Sequence, residues 1–276
     1  QGAIRSICHR NRVIIADKQV HASMLDGIHL SRARYYRYRH QDLNHLESLL
    51  QTHGRGACVI TEGVFSMTGD VTPIKDIANL CQQYQAKLYL DDAHGFGILG
   101  PGGRGTWAAQ DLDVSALACL VTPLGKAFAS CGGIVSGSAA LIDQLIQKAG
   151  SHRYNTALPP ALSAVGLSLL DLIEKADLKR RTLQENCDYF NREAKKRQLP
   201  LLNDALTPIR SVLIPDNDRV MQIQAELLHA GFMVAAIRPP TVPTNTARLR
   251  ISLNSSHQPT DLKKLIEKIA CLLKPQ

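Results

Sequence analysis

Leu88-Tyr89-Leu90-Asp91-Asp92-Ala93-His94 is the stretch that decides how this chain folds. A short apolar run leads directly into two carboxylates and an imidazole. An apolar run without polar alternation reads as a strand buried on both faces, as in a parallel sheet covered by helices. Polar groups just past its C-terminal end lie where open α/β sheets bind ligands. A second run, Leu117-Ala118-Cys119-Leu120-Val121, leads through a turn to Gly125-Lys126 and repeats the arrangement.

Outward from these runs, strand patterns alternate with helical ones. Val13–Ala16 and Ala57–Thr61 read as buried strands, and 132–137 as a further strand. His21–Leu30, Asp42–Leu50 and Pro73–Tyr84 read as helices, with Asp42 as an N-cap and Pro73 in a first turn. Helices are expected over 139–148, 159–175 and 178–197, then strands at 211–214 and 247–253 and helices at 220–230 and 260–273. The pattern predicts an α/β fold with a mostly parallel sheet and helices on both faces, plus a smaller C-terminal α+β domain. The boundary is expected near the end of the helix that starts at Pro159, giving domains 1–173 and 174–276.

Composition narrows the class. The chain has 276 residues, 45% apolar and 20% charged, as in an ordinary globular protein. No apolar run of ~18 residues is present, so no membrane span is expected. Seven unpatterned cysteines fit reduced thiols in the cytoplasm better than a disulfide framework or a zinc site. A net charge of +8 raises nucleic-acid binding as one reading. Its densest basic stretch argues against it. Strand alternation sets Arg32 and Arg34 on one face and Arg37 and Arg39 on the other, so no single basic stripe forms. Neither nucleic acid nor a membrane is expected as a partner.

Gly95-Phe96-Gly97-Ile98-Leu99-Gly100 has the spacing of a dinucleotide-binding turn. That reading needs a helix to follow, and Pro101-Gly102-Gly103-Arg104-Gly105 breaks one. The glycines instead shape an irregular loop beside a ligand. A lysine and an acid at neighbouring strand ends suit pyridoxal phosphate (PLP), which needs a Schiff-base lysine and an acid facing its ring nitrogen. Adjacent Asp91 and Asp92 should face opposite ways, one toward the ligand and one away. Taken singly, Lys126, His94, Ser66, His21 and Arg250 have bland readings as surface, capping or loop residues. No metal site is expected.

Thr61-Glu62-Gly63-Val64-Phe65-Ser66-Met67-Thr68-Gly69-Asp70, Asp91-Asp92-Ala93-His94-Gly95 and Gly125-Lys126-Ala127 stand in the order of the α-oxoamine synthase family of fold-type I PLP enzymes, which the chain resembles throughout its length. The resemblance implies decarboxylative condensation of an amino acid with an acyl thioester. Ile237-Arg238-Pro239-Pro240-Thr241-Val242-Pro243 and Thr246–Arg250 are most similar to the members that serve biotin synthesis. These join L-alanine to a pimeloyl thioester of CoA or acyl carrier protein. Related glycine- or serine-using synthases and an inactive truncated form remain open as alternatives.

The resemblance also implies residue roles. Lys126 carries the cofactor, Asp91 pairs with the ring nitrogen, and His94 and Ser66 contact the ring oxygen. His21 stacks on the ring, Thr241 reaches the phosphate across a homodimer, and Arg250 holds the amino-acid carboxylate by its bidentate fork. The family's phosphate-binding threonine, three residues before the lysine, is replaced by Pro123, with Thr122 as the nearest hydroxyl. The resemblance begins inside the family fold, so the upstream glycine-aromatic segment is expected to be missing.

Overall fold

The computed structural model describes residues 1–274. Its elements run α1 (Gly2–Ile7), β1 (Val13–Asp17), α2 (Ala22–Ser31), β2 (Arg34–Tyr38), α3 (Leu43–His53), β3 (Cys58–Glu62), α4 (Ile74–Gln83) and β4 (Lys87–Asp91). There follow α5 (Thr106–Ala109), β5 (Leu117–Pro123), β6 (Gly133–Ser136), α6 (Ala139–Lys148), α7 (Gly150–Arg153) and α8 (Pro160–Glu174). The chain closes with α9 (Asp177–Lys196), β7 (Ile209–Leu213), α10 (Asn217–His229), β8 (Ala235–Ile237), β9 (Arg248–Ser252) and α11 (Pro259–Leu273). Two compact units result: Gln1–Phe65 with Val71–Ala176, and Ser66–Asp70 with the chain from Asp177 onward.

In the first unit, strands pair in the order β2-β1-β3-β4-β5-β6. Pairing is parallel from β2 through β5, and β6 joins β5 antiparallel at the edge. The apolar runs are continuous because both faces are covered. Ile15, Val59, Leu88 and Leu90 pack with Leu46 and Leu50 of α3 and Ile74 and Ile77 of α4. Their neighbours Ile14, Cys58, Ile60 and Tyr89 pack on the opposite face with Ile4 of α1 and Met24 and Ile28 of α2. Each fully buried Ile or Leu contributes roughly 1.5–3 kcal/mol, so the strand ends are anchored by apolar layers on both sides.

Helix starts follow capping chemistry. Asp42 Oδ1 accepts the His45 N–H at 2.9 Å, and Asp216 Oδ1 accepts that of Arg219 at 2.6 Å. Pro73 is the N-cap of α4 rather than a residue of its first turn, because the helix begins at Ile74. The expected alternation of four arginines along one strand does not occur. Arg32 ends α2 in the left-handed conformation (φ 57°), and Arg39 lies beyond β2, paired with Asp42 at 2.7 Å.

In the second unit β9 lies between β7 and β8, antiparallel to both. Helices α9, α10 and α11 bury Phe190, Ile223, Leu227, Leu262 and Ile266. The strip Ser66–Asp70 is tied into this unit by Thr207 Oγ1, which donates to the Gly69 carbonyl at 2.6 Å, and by Ser211 Oγ, which donates to the Met67 carbonyl at 2.7 Å. Among the described residues no helix is long and apolar enough to cross a membrane.

Candidate active site

The C-terminal ends of β1, β3, β4 and β5 open onto the same edge of the parallel sheet. Asp91 and Asp92, at and just past the end of β4, part company there. Asp92 turns inward and is 1% exposed. Its Oδ2 accepts the Thr106 N–H at 2.8 Å and its Oδ1 the Thr106 hydroxyl at 2.6 Å. Gly63 and Gly95 leave room for this pair: a Cβ on either would lie within 2.4 Å of both Asp92 Oδ1 and Thr106 Oγ1. Burial pushes the Asp92 carboxyl up to about 6, against the pull of the Thr106 bonds. The glycine-rich stretch therefore cradles a carboxylate, and no α-helix opens from Gly95–Gly100, only the three-residue 3-10 turn Pro101–Gly103; Gly97 N–H donates to the Gly103 carbonyl at 2.7 Å.

Asp91 Oδ1 accepts the Ala93 N–H at 3.0 Å. Burial raises its carboxyl above the ordinary range; the Ala93 bond, then the charges of Lys126 and His21, pull it back. Asp91, Lys126 and His21 thus share one electrostatic neighbourhood. Lys126 sits on the loop between β5 and β6, which is closed by the Ser130 N–H donating to the Leu124 carbonyl at 2.8 Å. Lys126 is exposed while Phe128, two residues on, is buried and lies 6.1 Å from the Phe96 ring. An apolar plug therefore fixes the lysine loop against the glycine loop that follows His94. Thr122 is buried in β5, and Pro123 ends that strand opposite Gly133.

His21 is the N-cap of α2, and its backbone N–H donates to Glu62 Oε1 at 2.6 Å. Glu62 is a residue sequence reasoning missed. It stands 41 positions away, and only the pairing of β3 beside β1 brings it to the start of α2. Thr106 was missed for the same reason, being 14 residues from Asp92 with no periodicity to link them.

The remaining candidates belong to the second unit. Arg250, in the central strand β9, donates from Nε to the Ser66 carbonyl at 2.7 Å and from Nη1 to Ser252 Oγ at 3.3 Å. Burial holds its guanidinium below the usual range. Thr241 is exposed on the loop after β8, its N–H donating to the Arg238 carbonyl at 3.1 Å. Among the described residues, no cluster of His, Cys, Asp and Glu could hold a metal ion.

These groups fit a phosphorylated pyridine aldehyde. A lysine amine stands on a loop, a threonine lies four residues before it, and a carboxylate is partly desolvated. A cation placed against Asp91 would offset the cost of its burial, which is what a protonated ring nitrogen provides.

Comparison with known proteins agrees with this chemistry. Residues 1–269 match the family model for aminotransferase class I and II. The chain belongs to that family. Similar curated proteins include 8-amino-7-oxononanoate synthases: the one from Acidithiobacillus ferrooxidans is 42% identical over 265 residues, covering 96% of this chain and 67% of its own length. The crystal structure of 8-amino-7-oxononanoate synthase from Francisella tularensis is 34% identical with a TM-score of 0.88, covering 98% of this chain and 78% of that one. A serine palmitoyltransferase from S. paucimobilis, solved with PLP and myriocin bound, is 25% identical with a TM-score of 0.91, covering 98% of this chain and 70% of that one. The chain thus spans about two thirds of the length of the curated relative.

Proposed function

We propose that this chain catalyses the condensation of L-alanine with a pimeloyl thioester, giving 8-amino-7-oxononanoate, carbon dioxide and the free thiol in biotin synthesis. The observation that carries the reading is the convergence of Asp91, Lys126 and His21 at one edge of the parallel sheet, in a chain 42% identical to 8-amino-7-oxononanoate synthase. PLP, when bound, supplies a protonated ring that accepts electron density from the substrate α-carbon.

The chain's own residues do the rest. Asp91 holds the proton on the ring nitrogen, since a carboxylate beside it favours the cation. Lys126 would hold the cofactor by its amine, and the same amine would take the substrate α-proton as general base, a role worth typically about 10²–10⁴-fold. His21 would stack on the ring, and His94 and Ser66 would serve its oxygen. Pro123 has no hydroxyl for the phosphate, and Thr122, the nearest threonine, would serve it instead. Arg250 takes the amino-acid carboxylate through its planar fork. Thr241 serves the site of a second copy in a homodimer, and the enzyme works in the cytoplasm.

The fold likeness to serine palmitoyltransferase favours one second reading, a serine- or glycine-using synthase. The test is turnover. The chain, loaded with PLP and given a pimeloyl thioester, should release carbon dioxide and thiol with L-alanine at a rate well above those with glycine and L-serine. Equal or higher turnover with serine or glycine would replace the first reading by the second.

A further inference from the structure

His21 is held at two points by groups with no assigned part in the reaction. Its backbone N–H donates to Glu62 Oε1 at 2.6 Å, and Glu62 is 3% exposed. Its ring Nδ1 accepts the Ser23 N–H at 3.2 Å and lies 2.9 Å from Ser23 Oγ. A backbone N–H can only donate. Nδ1 therefore presents its lone pair, and in the neutral ring the proton must sit on Nε2. The Ser23 hydroxyl, with its freely rotating hydrogen, is then also a donor to Nδ1.

The local sequence explains the arrangement. His21 takes the N-cap place usually filled by Ser, Thr, Asp or Asn, and its ring nitrogen does their work by accepting an orphan N–H from the first turn of α2. Glu62 ends β3, whose partner β1 leads into the segment before α2, so the carboxylate fixes the backbone from which the ring projects. The Glu62 carbonyl also accepts the Thr72 hydroxyl at 2.6 Å, which pins the end of β3 in place.

We propose that Glu62 and Ser23 are positioning residues that fix His21 as its Nε2–H tautomer, leaving the ring one N–H donor, on Nε2. The relevance to catalysis rests on the reading of His21 as the residue that stacks on PLP. The tautomer itself does not, and it can be tested on the chain without cofactor.

The experiment is long-range proton–nitrogen NMR of the chain labelled with ¹⁵N-histidine, with the His21 signals assigned by their loss in His21→Gln. The wild type should show Nδ1 as the unprotonated acceptor and Nε2 as the protonated nitrogen. Ser23→Pro removes the backbone N–H that fixes Nδ1 as the acceptor, at a first-turn position where proline is tolerated, and should weaken that preference about fivefold, the equivalent of about 1 kcal/mol for one hydrogen bond; Ser23→Ala, which keeps that N–H, should not. Glu62→Ala should shift the same signals toward a tautomer mixture, and Glu62→Gln, which keeps an acceptor oxygen, should not. A wild-type His21 protonated on Nδ1, or averaged between tautomers, overturns the proposal. So does a pattern unmoved in Ser23→Pro, a first-turn variant that answers the question even where Glu62→Ala fails to fold. If PLP fails to bind while the tautomer behaves as described, the cofactor reading fails and this inference stands.

Discussion

Replacing Gly95 by Ala should be among the most damaging single-methyl changes this fold can suffer. The added Cβ would lie 2.1 Å from Asp92 Oδ1, 2.2 Å from Thr106 Oγ1 and 2.9 Å from Asp92 Cγ. Ordinary contact begins near 3.5 Å, so either the carboxylate or the loop must move by more than an ångström. Asp92 has little room to move: Gly63 and Gly105 approach it from other sides, so closely that a Cβ added to either would lie 2.2 or 2.0 Å from its oxygens. Movement forfeits both Thr106 hydrogen bonds to a buried carboxylate, each worth ~1.5–3 kcal/mol, for a total of about 3–6 kcal/mol. Gly56→Ala is the control. Gly56 has φ +74° and nothing within 4 Å of a Cβ, so only the left-handed backbone cost of about 1–2 kcal/mol applies. Urea unfolding followed by fluorescence reads the difference directly, because the single tryptophan, Trp107, is the residue after Thr106. The cradle account is refuted if Gly95→Ala costs no more than Gly56→Ala.

Three further outcomes are expected. Asp92 is raised to about 6 from an ordinary 3.8, so the folded state holds its proton more tightly than the unfolded one. Stability from this group is full below pH ~4 and is lost as pH rises to about 6, by roughly 3 kcal/mol; Asp92→Asn should flatten that part of a stability–pH profile measured by urea midpoint. Asp42→Ala removes the cap that accepts the His45 N–H and should cost about 1 kcal/mol in the same unfolding assay, with no change in cofactor affinity. Pro123→Thr puts a hydroxyl three residues before Lys126 and should tighten PLP binding by about tenfold in an equilibrium titration, the worth of one hydrogen bond to a charged oxygen.

The sheet was legible because burial on both faces leaves a continuous apolar run. Ile14 and Ile15, or Leu88 through Leu90, point to opposite helical layers, and no polar residue can interrupt them. Long helices announced themselves by periodicity and by caps such as Asp42. Not every short element did. The six residues of α1 carry no side-chain cap, and the three residues of β8 are fewer than a period can mark. The partnership of Asp92 with Thr106, and of Glu62 with His21, lies in tertiary proximity that no spacing encodes. The grouping of Ser66–Asp70 with the second unit is likewise invisible in sequence. It depends on hydrogen bonds from Thr207 and Ser211, about 140 residues away.

The proposed function stands or falls with Lys126 as the residue that binds the cofactor. The chain should be mixed with PLP, reduced with borohydride and digested for peptide mass mapping. A visible absorption band should appear before reduction and the cofactor's mass should be fixed on the peptide that contains Lys126, with both absent in Lys126→Ala. Attachment to other lysines alone, or a band that survives Lys126→Ala, would contradict it.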